Sequence, residues 1–142
     1  MAFTGNYTGN SFKQQLFEGD FDFSSGTTQT FKIALYTNNA TLDETTTAYT
    51  TSGEVSASGY TAGGAAITPS LALDASNGVV YVDFTNASWA GAFTARGALI
   101  YRVTTGNPAI CVLDFGSDKT STSTFQVEFP PNTSTTALIR TS

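Results

Sequence analysis

Apolar residues recur along this chain at two spacings. Near the amino terminus Phe12, Leu16 and Phe17 are expected to share a face, at i, i+4 and i+5, in Ser11-Phe12-Lys13-Gln14-Gln15-Leu16-Phe17-Glu18. Asn10 is a natural cap, and Gly19 stands where a left-handed residue ends a helix, so the pattern predicts one short helix. At roughly two to three turns it is marginal alone and must dock on its own sheet or on a neighbour. Beyond it the spacing becomes two. Phe31, Ile33 and Leu35 alternate with Lys32 and Tyr36; Val80, Val82 and Phe84 alternate with Tyr81 and Asp83, which puts Asp83 on an exposed face. Phe93 to Val103 reads as a strand with Arg96 and Arg102 on one face. Phe125, Val127 and Phe129 form another ahead of Pro130-Pro131, and Ala137-Leu138-Ile139-Arg140 forms a last one. The run from Ala109 to Phe115 is apolar on both faces, as a central sandwich strand should be.

Turn signals punctuate these runs at Asn77-Gly78, Gly106-Asn107-Pro108 and Gly116-Ser117-Asp118. Thr37 to Gly64 differs: it is rich in Thr, Ser, Asn and Gly, and reads as a long loop with one short strand near Glu54-Val55. A loop of that length is usually functional or an interaction arm. The expected fold is therefore mainly β: an antiparallel, jelly-roll-like β-sandwich with one short N-terminal helix, in a single domain over residues 1–142. Residues 1–19 form an N-terminal arm and helix, and residues 37–64 the long loop region.

Composition supports a packed core with an unusual surface. The chain has 142 residues, 40% of them hydrophobic and 13% aromatic, which is enough for a core without disulfides or metals. Charged residues make up 12%, about half the usual share. The 25 Thr and 14 Ser fill that gap with hydroxyls. Net charge is −5, and the basic residues Lys13, Lys32, Arg96, Arg102, Lys119 and Arg140 are dispersed. That argues against nucleic acid and anionic membranes as partners. The start of the chain, Met1 to Lys13, has no apolar signal region and no stretch is long enough to span a bilayer, so the expectation is cytoplasmic synthesis without export or insertion.

The sequence is poor in reactive groups. With no histidine, the Ser-His-Asp triad, the Cys-His pair and the commonest general base are excluded. Cys111, the only cysteine, lies in Ala109-Ile110-Cys111-Val112-Leu113 and reads as a small buried hydrophobe. Gly59-Tyr60-Thr61-Ala62-Gly63-Gly64 lacks the Lys of a phosphate loop. Carboxylates occur close together as Asp20/Asp22, Asp43/Glu44 and Asp114/Asp118. Asp20 and Asp22 share a face if extended, as a Ca²⁺ site requires, but read more plainly as solvated charges past a helix end. Asp114 and Asp118 read as caps of a Gly-Ser turn. No catalytic residue, metal ligand or cofactor is assigned. The Asn-X-Ser/Thr tripeptides at Asn6, Asn39, Asn86 and Asn132 are expected by chance in so hydroxyl-rich a chain. Trp89, with Phe93 and Tyr101, would suit a glycan platform, though a lone Trp beside strand residues is more often core or interface.

Several blocks resemble a family of small virion structural proteins of tailed bacteriophages. They are Met1-Ala2-Phe3-Thr4-Gly5-Asn6-Tyr7-Thr8-Gly9-Asn10-Ser11-Phe12-Lys13, Phe31-Lys32-Ile33-Ala34-Leu35-Tyr36-Thr37-Asn38-Asn39-Ala40-Thr41-Leu42-Asp43, Gly59-Tyr60-Thr61-Ala62-Gly63-Gly64, Phe93-Thr94-Ala95-Arg96-Gly97-Ala98-Leu99-Ile100-Tyr101 and Leu113-Asp114-Phe115-Gly116-Ser117-Asp118-Lys119. The resemblance runs nearly end to end and implies a part of a phage particle, located in the virion after assembly in the host cytoplasm. It brings no catalytic residues.

Three functions fit. The first is a capsid decoration (cement) protein, a homo-oligomer, with a trimer favoured, that binds the major capsid protein or other virion proteins. Its expected partner-contact residues are Phe3, Tyr7, Phe12, Leu16 and Phe17, the apolar positions of the N-terminal arm and helix. The second is a tail, neck or baseplate component. The third is a receptor- or glycan-binding module, for which Trp89 and the Asp20/Asp22 pair are the hints.

Overall fold

A computed structural model describes residues 3–141. The protein is mainly β with antiparallel strands and one helix. Strands β1 (Tyr7–Thr8), β2 (Thr30–Tyr36), β3 (Ala65–Ile67), β7 (Thr94–Val103) and β8 (Ala109–Thr120) form a five-stranded sheet in the order β1-β8-β7-β2-β3. Strands β4 (Pro69–Asp74), β5 (Val79–Phe84) and β10 (Ile139–Thr141) form a second sheet, ordered β10-β5-β4, and β6 (Ala87–Trp89) pairs with β9 (Phe125–Val127). Helix α1 spans Asn10–Glu18.

The alternation of β2 explains the layering. Phe31, Ile33 and Leu35 point to one face of the five-stranded sheet and join Phe12 of α1, Val82 and Phe84 of β5, Trp89 of β6 and Phe125 of β9 in the main core. The smaller sheets and the helix thus cover that face. Phe23, Phe31 and Phe84 meet there at ring-centroid distances of 5.1 to 6.1 Å. Ala34 and Tyr36 point the other way, into a second core with Phe3, Ala40, Leu42, Leu99, Tyr101 and Val112. Both faces of β2 are buried, which is why Tyr36 is fully enclosed despite its hydroxyl.

The two cores show where residues 37–64 go. The loop buries Ala40 and Leu42 in the second core and Val55 and Tyr60 in the main one, so it packs on the sheet. It is tied down by the bridges Tyr36↔Glu54 and Ala48↔Pro108. Backbone crowding demands its glycines: a Cβ on Gly64, at φ +82°, would sit 1.8 Å from the Ile33 carbonyl oxygen.

Four further corrections are local. Gly9, not Asn10, caps the helix; Asn10 is its first residue. The Gly9 and Asn10 amides instead donate to the Ile110 and Glu44 carbonyls, at 2.9 and 2.8 Å, so backbone partners do the work of a capping side chain. Gly19 does take the left-handed conformation (φ 86°) at the other end. Gly116-Ser117-Asp118 lies within β8 as an irregularity opposite Ala95-Gly97, not as a turn between strands. That irregularity also separates the two arginines. Arg96 reaches Phe3 of the second core, while Ala98 and Ile100, which share the strand face of Arg102, belong to the main core. Asp83 is buried rather than exposed. Residues after β9 lie over the face of the β10-β5-β4 sheet that carries Asp83: Asn132 and Ser134 hydrogen-bond Ser70 and Asp74 of β4, and Ser70 pairs with Asp83.

Candidate interaction surface

Helical geometry decides which of the N-terminal apolar residues are free. Positions four apart are offset by about 40° around a helix and positions five apart by about 140°. Phe12 therefore enters the core, 4.8 Å from Phe21 by ring centroid, and Leu16 packs partly against it. Phe17 swings out and is 94% exposed. Phe3 goes to the opposite side of the five-stranded sheet. It fills the notch left by Gly97, where a Cβ would lie 2.4 Å from its ring. The Arg96 guanidinium covers that ring, 5.7 Å from its centroid, and ion-pairs with Asp114. Tyr7 is half-buried against the same second core, its hydroxyl 2.8 Å from Thr4 Oγ1. Of the five expected contact residues, Phe3 and Phe12 are thus occupied inside the protein. Phe12, Leu16 and Phe17 are brought together at one cleft.

That cleft runs between α1 and β10. Its helix wall is Phe12, Lys13, Leu16 and Phe17; its strand wall includes Val79, Leu138, Ile139 and Arg140, and its volume is about 640 Å³. The register extends the apolar character beyond it. Thr141 on the strand wall pairs with Val80, and Val80 pairs with Leu73. Leu73 is 64% exposed, and Leu71 and Val80 are also exposed. The small sheet therefore overhangs the core at this end, leaving large apolar side chains in water. The Leu71-Ala72-Leu73-Asp74 alternation just before Asn77-Gly78 is the sequence signal for this overhang.

One cluster of polar groups is turned toward the sheet. Glu54, within the long loop, is its hub. Its carboxylate accepts from the Tyr49 hydroxyl at 2.6 Å, the Tyr60 hydroxyl at 2.7 Å and the Gly63 amide at 2.8 Å. Tyr60 also accepts from the Leu35 amide, Tyr36 donates to the Thr50 carbonyl and Tyr101 to the Gly63 carbonyl. Burial pushes the phenols of Tyr36, Tyr49 and Tyr60 above their ordinary range and that of Tyr101 to about 12. These hydroxyls stay protonated as donors and fasten the loop.

The carboxylate pairs resolve into turns. Asp22 accepts from the Ser24 amide and hydroxyl, hydrogen bonds that lower its pKa. Asp20 offers its backbone carbonyl to Gln29 and Arg102. Burial acts to raise the Asp114 carboxyl, but the Gly116 amide and Arg96 hold it below its ordinary value. Among the described residues no group of three or more His, Cys, Asp or Glu is placed to hold a metal ion. Cys111 is buried and its thiol pushed up to about 12 by desolvation. Trp89 is buried, 5.9 Å from Tyr60 and 6.4 Å from Phe125 by ring centroid, so it offers no exposed stacking platform.

The chain matches no family model, no curated protein and no solved structure. Among the described residues no helix is long and apolar enough to cross a membrane.

Proposed function

We propose that the chain is a structural component of a bacteriophage particle: a capsid decoration protein that works as a homo-oligomer, with a trimer favoured, and stabilises the shell by binding neighbouring capsid subunits. The observation that carries the surface-binding part of this reading is the overhanging apolar end, with Phe17, Leu73 and Val80 in water. Large side chains left out of a core that buries most of the others mark a surface that contacts another molecule. Burying one such side chain contributes about 1.5–3 kcal/mol, so a few of them, repeated around a closed oligomer, suffice for stable attachment. The chemistry supports a non-enzymatic role: the sequence has no histidine, its thiol is buried, and the acids placed above are held in turns or under the loop. The virion setting rests on the resemblance of the sequence blocks described above.

The test is abundance in purified particles, quantified by mass spectrometry against the major capsid protein. A decoration protein is present in large excess over any single ring component. A handful of copies per particle would move the protein to the tail, neck or baseplate. Absence from mature particles would refute the proposal altogether.

A further inference from the structure

The cleft between α1 and β10 combines three properties. First, β10 pairs only with β5 among the described residues, so one edge of Ile139–Thr141 carries backbone N–H and C=O groups without a strand partner, and all three residues line the cleft. Such an edge is a template for another strand. Second, Leu16, Phe17, Leu138 and Ile139 give the cleft apolar walls. Third, the cleft is cationic in an acidic protein. Among the described residues its only charged lining residues are Lys13 on the helix side and Arg140 on the strand side, whereas the chain carries 11 acids against 6 bases.

We infer that this cleft accepts an extended acidic segment of a partner protein, which adds a strand to the free edge of β10. Backbone hydrogen bonds to Ile139–Thr141 supply register, an apolar side chain lies against Phe17, and carboxylates meet Lys13 and Arg140. Arg140 already donates to the Thr135 carbonyl, which fixes its guanidinium while leaving further N–H donors for a carboxylate. Charge complementarity selects an acidic segment, because Lys13 and Arg140 are the charged residues on the two walls of the cleft. An extended segment is favoured over a helix because only an extended backbone satisfies a strand edge. The inference deepens the proposal above and rests on it for the partner being another particle protein. The cleft itself is tested separately, so failure here leaves the particle-abundance measurement standing.

The experiment titrates the ¹⁵N-labelled full chain with a synthetic peptide of alternating Glu and Val. The controls are an alternating Lys and Val peptide and a Glu/Val peptide interrupted by Pro. The expected result is amide shifts at Lys13, Phe17 and Ile139–Thr141 with the Glu/Val peptide alone, weakening severalfold between ~50 and ~200 mM salt. The double variant K13E/R140E should bind at least about tenfold more weakly, and K119E, away from the cleft, should bind as the parent does. If K13E/R140E fails to fold by its own spectrum, K13Q/R140Q replaces it, with a loss of about threefold expected. No shift at millimolar peptide, equal binding of both peptide signs, or shifts confined elsewhere would overturn the inference. Concentration-dependent self-association that broadens these same amides without peptide would overturn the occupant and point to a second copy.

Discussion

Replacing Gly97 with Ala should eject the amino-terminal segment from the second face of the sheet. A Cβ at this position would lie 2.4 and 2.6 Å from two ring carbons of Phe3 and 2.6 Å from the Leu113 carbonyl oxygen. Carbon atoms in contact sit about 3.5–4.0 Å apart, so the overlap exceeds ~1 Å and no small adjustment relieves it. The Leu113 carbonyl clash forces the sheet to shift, which is overpacking at about 1–3 kcal/mol, and the ring clash drives Phe3 out of its notch. Loss of a buried Phe contact costs about 3–5 kcal/mol in a core. We expect G97A to destabilise by about 3 kcal/mol, a fall of roughly 10 °C in Tm for a chain of this size. Urea unfolding followed by fluorescence of Trp89, buried in the other core, reads the effect. The decisive control is the double variant with Phe3→Ala. If both changes act through the Phe3–Gly97 contact, their combined cost falls short of the sum by more than about 1 kcal/mol. A G97A protein within ~0.5 kcal/mol of the parent, or strict additivity, would refute the notch-and-plug account.

Three other outcomes are expected. Glu54→Ala removes the acceptor of two phenols and an amide, costs about 2–3 kcal/mol and raises hydrogen exchange across residues 37–64 more than in β7; uniform exchange would count against a loop fastened at this point. Burial raises the Asp83 carboxyl above its ordinary value of 3.8, against the opposing Phe84 and Leu138 amides. The folded state therefore holds that proton more tightly than the unfolded chain, and its benefit, complete below 3.8, is lost as pH rises through the folded value. Asp83→Asn should accordingly raise Tm slightly at pH 7, by ~1–2 °C, and converge with the parent near pH 4; a fall at neutral pH would reverse the sign. Cys111, buried and desolvated, should react with a thiol reagent only at the rate of unfolding, and immediate labelling in native buffer would contradict its placement.

Much of the β framework is legible in the sequence because its strands obey period two. Thr30–Tyr36, Val79–Phe84 and Thr94–Val103 carry apolar alternation long enough to stand out, and Ala109–Val112, buried on both faces, reads as interior. The helix is legible from Phe12, Leu16 and Gly19. What escapes is set by tertiary contacts. Ala65–Ile67 and Ala87–Trp89 are too short for a period to show, and pair because neighbours are already in place. Asp83 follows the exposed phase of its strand, but the segment after β9 closes over that face. The long loop looks idle in composition, yet a single Glu and four tyrosines, spread from Tyr36 to Tyr101, bind it to the sheet. Arg96 and Arg102 share a parity that the β-strand irregularity cancels. For the interaction surface, Phe17 is legible as an apolar helix position but not as an exposed one, because it lies five residues from Phe12, about 140° around the helix. The opposing wall is not legible as a wall, because its strand Ile139–Thr141 joins β5 only through a pairing between residues about sixty positions apart.

The most direct test of the account is a cryo-EM map of the intact phage particle at side-chain resolution. The account predicts this chain repeated over the shell, with Phe17 and the α1–β10 cleft buried against a neighbouring virion protein. A particle lacking the chain, or one in which that end faces open solvent at every copy, would contradict it.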